Sequence, residues 1–389
     1  MTARAVVATG AALLALAVVS GCGEAAEGDP VLTVYLSAPL SGPSAAAGRD
    51  IADGAELALA DADGEAAGVA VELEVLDDAT RDGWDAARTG ANARTATQDS
   101  TAIAYLGELD SGATRTSLPI TNGAGMLQVS AGSGADDLTT EAIGSDQVPE
   151  ATQPSGTRTF GRVIPADFAQ GEAAAGWMNE LGVEEVEVVG ADDPFSDALL
   201  AGYESVSAAP PIVEGRDADA AYLARADLFS EGGKNLIPGA AQIFGSDALL
   251  DRDDLTFLRI LTEACRTRSD CPGDPREIRL TSAALDPSQL PAAGEEFAAA
   301  FEAASDRPPG RYAAYGYEAM AVILDSIERA EDPLDRTAVV DAFFATEDRD
   351  SILGEYSIED TGDTTLAELG AYRVEAGRPV PEPDALELP

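Results

Sequence analysis

From Val31 onward, short runs rich in apolar and β-branched residues alternate with stretches of helical apolar spacing, and this alternation constrains the chain more than any other feature. Strands are predicted over 31–37, 69–76, 102–106 and 126–129, with helices over 50–62, 84–98 and 112–121 between them. Ile51, Ala55, Leu57 and Leu59 give the first helix its apolar stripe. A long Gly-, Asp-, Thr- and Pro-rich stretch covers 131–157. The pattern then resumes with strands over 160–164, 186–189, 211–213, 220–223, 242–244 and 278–281, and helices over 170–181, 196–206, 292–304 and 315–330. Alternation of this kind builds parallel sheets covered by helices on both faces. The expected fold class is α/β, and the length beyond residue 30 exceeds one typical domain and fits two lobes.

The chain starts differently. Arg4 is the only charge before an apolar run from Ala5 to Val19, which is shorter than the ~20 residues a membrane-spanning helix needs. A charged start, an apolar middle and small residues after it form an export signal. The run closes in Val19-Ser20-Gly21-Cys22, which resembles the bacterial lipobox, so 1–21 is expected to be a lipoprotein signal peptide and Cys22 the lipidated residue. Residues 22–30 then form a short polar tether. The expected location is the extracytoplasmic side of the cell membrane, held by lipid alone.

Composition removes several functions. With 24 basic and 70 acidic residues the net charge is −46, which repels nucleic acid and anionic headgroups. Hydrophobic residues still make up 45% of the chain, enough to fill a core. Histidine is absent, which excludes Ser-His-Asp and Cys-His catalysis and His-ligated zinc. No phosphate loop, nucleophile elbow or zinc motif is present. The acid pairs Asp77-Asp78, Asp136-Asp137 and Asp192-Asp193 are the only hint of carboxylate chemistry, and neighbours in sequence rarely face one site. No enzyme, cofactor or metal is expected. Besides Cys22 the cysteines are Cys265 and Cys271, in a polar, turn-rich loop; outside the cytosol they are expected to form a local disulfide.

Eight fragments in order carry a resemblance. They are Leu40-Ser41-Gly42-Pro43, Asp77-Asp78, Gly107 through Gly112, and Val129-Ser130 with Leu138-Thr139. Then come Arg162 with Asp167, Gln170 and Gly171; Gly245-Ser246-Asp247; Tyr312 through Ala319; and Gly362-Asp363. Together the chain resembles the type I periplasmic binding proteins, specifically the leucine/isoleucine/valine-binding family of ABC-transporter substrate-binding proteins. The resemblance implies two doubly wound lobes joined by three crossings, near Arg162, Arg279 and Gly354, which close over ligand by hinge rotation. The N-terminal lobe would comprise 31–161 and 283–350, and the C-terminal lobe 162–280 and 354–380.

The resemblance also places a ligand between the lobes, outside the carboxyl ends of the strands. Ser111, with Asp110 beside it, would hold a ligand carboxylate at a helix N-terminus; from the residues alone Ser111 reads as an ordinary capping serine. The turn Gly132-Ser133-Gly134 matches a second contact. A Thr is usual where Gly134 stands, so Ser133 is the candidate hydroxyl, and a turn built on glycine flexibility is the other reading. Asp247 matches the acidic partner of a ligand ammonium, or is a helix cap. Phe195, Ala47 and Ala226 stand where branched-chain binders carry Tyr, so the pocket would be wider than one for leucine. The expected partners are an amino-acid-like ligand and ABC permease subunits, with the chain a monomer. A receptor that signals to a sensor instead of a permease is the alternative.

Overall fold

Strand β1 (Val31–Ala38) is buried along all but its first residue, as a strand covered on both faces must be. Its pleat sends Val34 and Leu36 into one core and Tyr35 into another. Around it the chain lays down α1 (Ala45–Asp61), β2 (Glu65–Ala66), β3 (Val69–Asp77), the hairpin strands β4 (Ala79–Thr80) and β5 (Gly83–Trp84), and α2 (Ala86–Gln98). Next come β6 (Ala102–Leu106), α3 (Ser111–Gly123), β7 (Leu127–Ser130) and β8 (Phe160–Arg162). The first sheet has the order β2-β3-β1-β6-β7-β8 and is parallel except at β2. Trp84, expected to open a helix, belongs to β5, because the Asp85 carboxylate accepts the Arg88 N–H and α2 starts at Ala86.

This computed structural model describes residues 29–141, 149–214, 218–225, 240–250 and 277–389. Val31–Pro389 is one compact unit. Cys22, Ala226, Cys265 and Cys271, and with them the expected lipidation and disulfide, lie outside the described residues.

A second sheet follows. Helix α4 (Asp167–Glu180) leads to β9 (Val186–Val188), α5 (Pro194–Ser205), β10 (Ala220–Leu223), β11 (Gln242–Gly245) and β12 (Glu277–Ser282). The chain then returns to the first core as α6 (Ala292–Ser305), α7 (Ala313–Arg329), α8 (Arg336–Phe344) and a hairpin of β13 (Arg349–Ser351) and β14 (Gly354–Tyr356). It ends in the second sheet as β15 (Glu368–Glu375), β16 (Arg378–Pro381) and β17 (Leu386–Glu387). That sheet has the order β16-β15-β12-β11-β10-β9, with β17 also on β15. Strands β9 to β12 are parallel, and β15 runs antiparallel to β12. The sheets are therefore parallel-dominated but mixed. The strand expected over 211–213 reduces to a single bridge between Val186 and Ile212.

Each sheet has its own apolar filling. On one face of the first, Val34 and Leu36 meet Ile51, Ala55, Ile323 and Phe343; on the other, Tyr35 and Tyr105 meet Ala93, Ala96 and Met126. In the second, Trp177, Leu199, Tyr203, Tyr222 and Phe244 cluster on one face, and Ile243, Ile278 and Leu280 on the other. Burial of each large side chain contributes about 1.5–3 kcal/mol before entropy is counted. Helices pair by backbone approach in both bodies. A Cβ on Gly316 would stand 2.3 Å from the Ile51 carbonyl oxygen, and one on Gly171 2.0 Å from that of Leu199. The chain passes between the sheets three times, in 163–166, 283–291 and 357–367.

Candidate functional site

The loops that leave the carboxyl ends of β1, β6, β7, β8, β9 and β11 converge on one cavity of about 410 Å³. This is where the dipoles and free N–H groups of the following helices face a common space. Asp110, Ser111, Gly132 and Gly134 line it from the first sheet, Phe195 and Asp247 from the second, and Ala47 lies at its edge on the first turn of α1.

The first-sheet wall is held by hydroxyls. Ser130 Oγ donates to the Glu108 carbonyl at 2.7 Å and accepts the N–H groups of Gly132 and Ser133 at 3.1 and 2.9 Å. Ser111 is the first residue of α3, and its Oγ accepts the Ala135 N–H at 3.1 Å, tying the helix start to the turn. The N–H groups of the first turn of α3 have no partner within the helix, which makes this end attractive to an anion.

Ser133 does not reach the cavity. It is fully buried, its Oγ shares a hydrogen bond with Thr114 Oγ1 at 2.7 Å and donates to the Glu108 carbonyl at 3.1 Å. The expected replacement of a threonine hydroxyl by Ser133 therefore fails on direction: the turn sends that side chain into the protein. Gly134 faces the cavity instead, and a Cβ there would stand 2.2 Å from Asp167 Oδ1.

On the opposite wall Asp247 opens a short 3₁₀ turn after β11. Its N–H donates to Gln170 Oε1 at 3.3 Å and its Oδ2 accepts the Ala283 N–H at 3.3 Å. Phe195, on the first turn of α5, is half-buried and reaches back to the second core.

Three charged residues of the cavity were not singled out from the sequence as ligand contacts. Asp50, on α1, is paired with Arg307, and burial raises its carboxyl against that pairing. Arg311, just before α7, donates to Ser282 Oγ at 3.2 Å and lies over the rings of Tyr312 and Tyr372. Asp167, quoted only as part of a motif, opens α4; burial and the charges of Asp136 and Asp247 push its carboxyl well above the ordinary range. A lone arginine immediately before an aromatic-rich helix in so acidic a chain was the available signal for Arg311.

The adjacent acid pairs divide into structural roles. Asp77 accepts the N–H groups of Leu40 and Ala79, Asp137 pairs with Arg115, and Asp193 caps α5 through the Ser196 N–H. Of the remaining members, Asp78 is buried against Glu108. Among the described residues no cluster of three or more His, Cys, Asp or Glu is arranged to hold a metal.

Residues 32–210 match the model of a family described as periplasmic binding proteins. Solved structures cover nearly the whole chain. A leucine-binding protein from Thermotoga maritima is 21% identical with a TM-score of 0.65, over 92% of this chain and 99% of that one. The fold is that of a type I periplasmic binding protein. The resemblance read from the eight motifs thus holds for this binding-protein fold. The same fold covers 92% of this chain and 99% of a branched-chain amino acid transporter substrate-binding protein from Streptococcus pneumoniae solved with isoleucine, at 17% identity and a TM-score of 0.65. A solute-binding protein of an ABC transporter from Rhodopseudomonas palustris, solved with 3,4-dihydroxybenzoic acid, is 17% identical with a TM-score of 0.63, again over 92% and 99%. No curated protein matches the sequence. Among the described residues no helix is long and apolar enough to cross a membrane.

Proposed function

We propose that the chain is an extracytoplasmic solute-binding lipoprotein that captures an amino acid or similar small polar ligand between its two lobes and delivers it to an ABC importer. The observation that carries this reading is one cavity with a helix N-terminus at Ser111 on one wall and the Asp247 carboxylate on the other. A zwitterion needs an anion site and a cation site held apart, and these two walls offer them. The ligands of the solved relatives, isoleucine and 3,4-dihydroxybenzoic acid, share a carboxylate, which supports assigning that group to the α3 end. An acidic residue opposite it favours amino acids over aromatic acids.

On this reading Asp247→Ala removes the partner of the ammonium, which costs roughly 2–5 kcal/mol, or one to several orders of magnitude in affinity at roughly 1.4 kcal/mol per tenfold. Ser111→Ala weakens binding less, since the backbone N–H groups remain. Calorimetry on both variants against amino acids, amides and small carboxylates checks this; an unchanged affinity of Asp247→Ala for every ligand rules out the ammonium role. Export and anchoring rest on Cys22, whose attached chains contribute about 0.8 kcal/mol per buried CH₂. Cys22→Ser is expected to release the protein from membranes or stall its processing, and a mature N-terminus other than Cys22 refutes the anchor. A Cys265–Cys271 disulfide belongs to the same exported form.

A further inference from the structure

The carboxyls of Asp78 and Glu108 meet out of reach of water. Asp78, just past β3, is 0% exposed, and Glu108, just past β6, is 1% exposed. Tyr105 Oη donates to Glu108 Oε1 at 2.7 Å, but among the described residues no donor reaches Glu108 Oε2 or either oxygen of Asp78. The two carboxyls lie within hydrogen-bond reach of each other. Ionised carboxylates only accept, so this pair can be bonded only through a proton held between its members.

The surroundings favour keeping that proton. Burial raises both carboxyls, and the charges of Asp110 and Asp77 act on Asp78 in the same direction. Arg88, on α2, is engaged with Asp77 at 3.5 Å, and Ser37 Oγ, on β1, accepts Asn92 Nδ2 at 3.1 Å. Among the described residues no arginine pairs with either carboxyl.

The pair is joined to the cavity wall through the backbone of Glu108. Its carbonyl accepts Ser130 Oγ at 2.7 Å and Ser133 Oγ at 3.1 Å, and its N–H donates to Thr114 Oγ1 of α3 at 3.3 Å. Those bonds hold the turn at Gly132 and the helix that starts at Ser111, and both residues line the cavity. Once the proton leaves, two like charges stand in contact without water and repel. A shift of Glu108 away from Asp78 is carried into that frame, and the added charge lies just before the anion-attracting end of α3.

We infer that Asp78 and Glu108 hold one proton between them and that this proton is a switch on the binding wall: its loss deforms the wall and weakens capture of a ligand carboxylate. The second half rests on the carboxylate assignment at the α3 end made above. The pair keeps its proton in acid, so affinity falls as the pH rises.

Two measurements on the full-length protein test this. Trp84 and Trp177 are the only tryptophans, and the Trp84 ring lies against the first turn of α3, 2.6 Å from where a Cβ on Gly112 would stand. In Trp177→Phe, emission therefore reports on the wall alone. It should titrate between pH 5 and pH 8, and Asp78→Asn or Glu108→Gln, whose amides bond without a shared proton, should abolish the titration. Calorimetry with L-isoleucine should give at least about fivefold tighter binding at pH 5 than at pH 8, the low end of coupling between two sites. Either amide variant should retain the tighter affinity at pH 8, which a merely structural role would not produce. An emission that does not titrate, a titration that persists in both variants, or an affinity equal at both pH values overturns the inference. Isoleucine binding at neither pH overturns the amino-acid reading instead, and the emission profile then decides the pair by itself.

Discussion

Arg162 heads the large side chains that the fold removes wholly from water. Its Nε donates to Asp363 at 2.7 Å, Nη1 to the carbonyls of Ser133 and Ala135 at 3.0 and 2.8 Å, and Nη2 to Thr139 Oγ1 at 2.9 Å. A rigid planar fork is the side chain that can meet partners in so many directions. Removing one partner of a buried ion pair costs about 3–5 kcal/mol, so Arg162→Met should lower unfolding stability by that amount in urea titrations. Arg162→Lys should recover only part of it, and a loss below 1 kcal/mol would contradict the role given to the guanidinium. At this scale the sequence was readable in residue type but not in direction. Arg162, Asp167 and Gly134 stood in recognisable motifs, and six of the seven proposed contacts do line one cavity. Ser133 does not, because the side-chain direction in a turn is set by the Ser130 bonds that fold it, and no local pattern records those.

Helices α1 and α7 form the broadest helix pairing of the first body, and they touch through glycine. Gly54 lies against the Ala313 carbonyl and Gly316 against that of Ile51. Backbone cannot yield as a flexible side chain does, so Gly316→Ala forces the helices apart. Overpacking of this kind costs typically 1–3 kcal/mol, and calorimetry should register a drop in Tm of several degrees; no drop would mean that the helices separate freely. Elements were most legible where an apolar run met abrupt turn residues: Ala102–Leu106 and Ala220–Leu223 fall on their expected bounds. The C-terminal β15 to β17 and the short α8 were not anticipated. In β15, Gly370 and Arg373 interrupt the apolar run, and α8 has only 9 residues, too few for a helical period to stand out.

Across the whole molecule, several carboxyls bind protons more tightly folded than unfolded. Burial pushes Asp136 up to about 6; burial, with the charges of Asp110 and Asp77, pushes Asp78 up to about 6 against a hydrogen bond with Glu108, and burial and the charge of Asp78 raise Glu108. Unfolded, such groups titrate near 4. Ionising them therefore costs folding free energy as the pH rises from about 4 through 6, so stability increases when the pH falls across that window. Asp77 and Asp99 are shifted the other way by hydrogen bonds; what they add is lost below about 4. The net charge of −46 adds self-repulsion that acid relieves. Tm measured by calorimetry is expected to be higher at pH 5 than at pH 7.5, with a smaller difference in Asp78→Asn. A Tm no higher at pH 5 than at pH 7.5 would show that these groups are not raised.

Arg162 sits where the first passage between the sheets begins, Asp363 lies within the third, and the carbonyls it also binds belong to the turn that walls the cavity. Two of the three passages are thus riveted at one point, beside the cavity itself. A change at this rivet would act at once on two of the three passages and on the turn that walls the cavity. Through these residues the shape of the cavity wall and the set of the passages are one mechanical variable, and selection cannot adjust either alone.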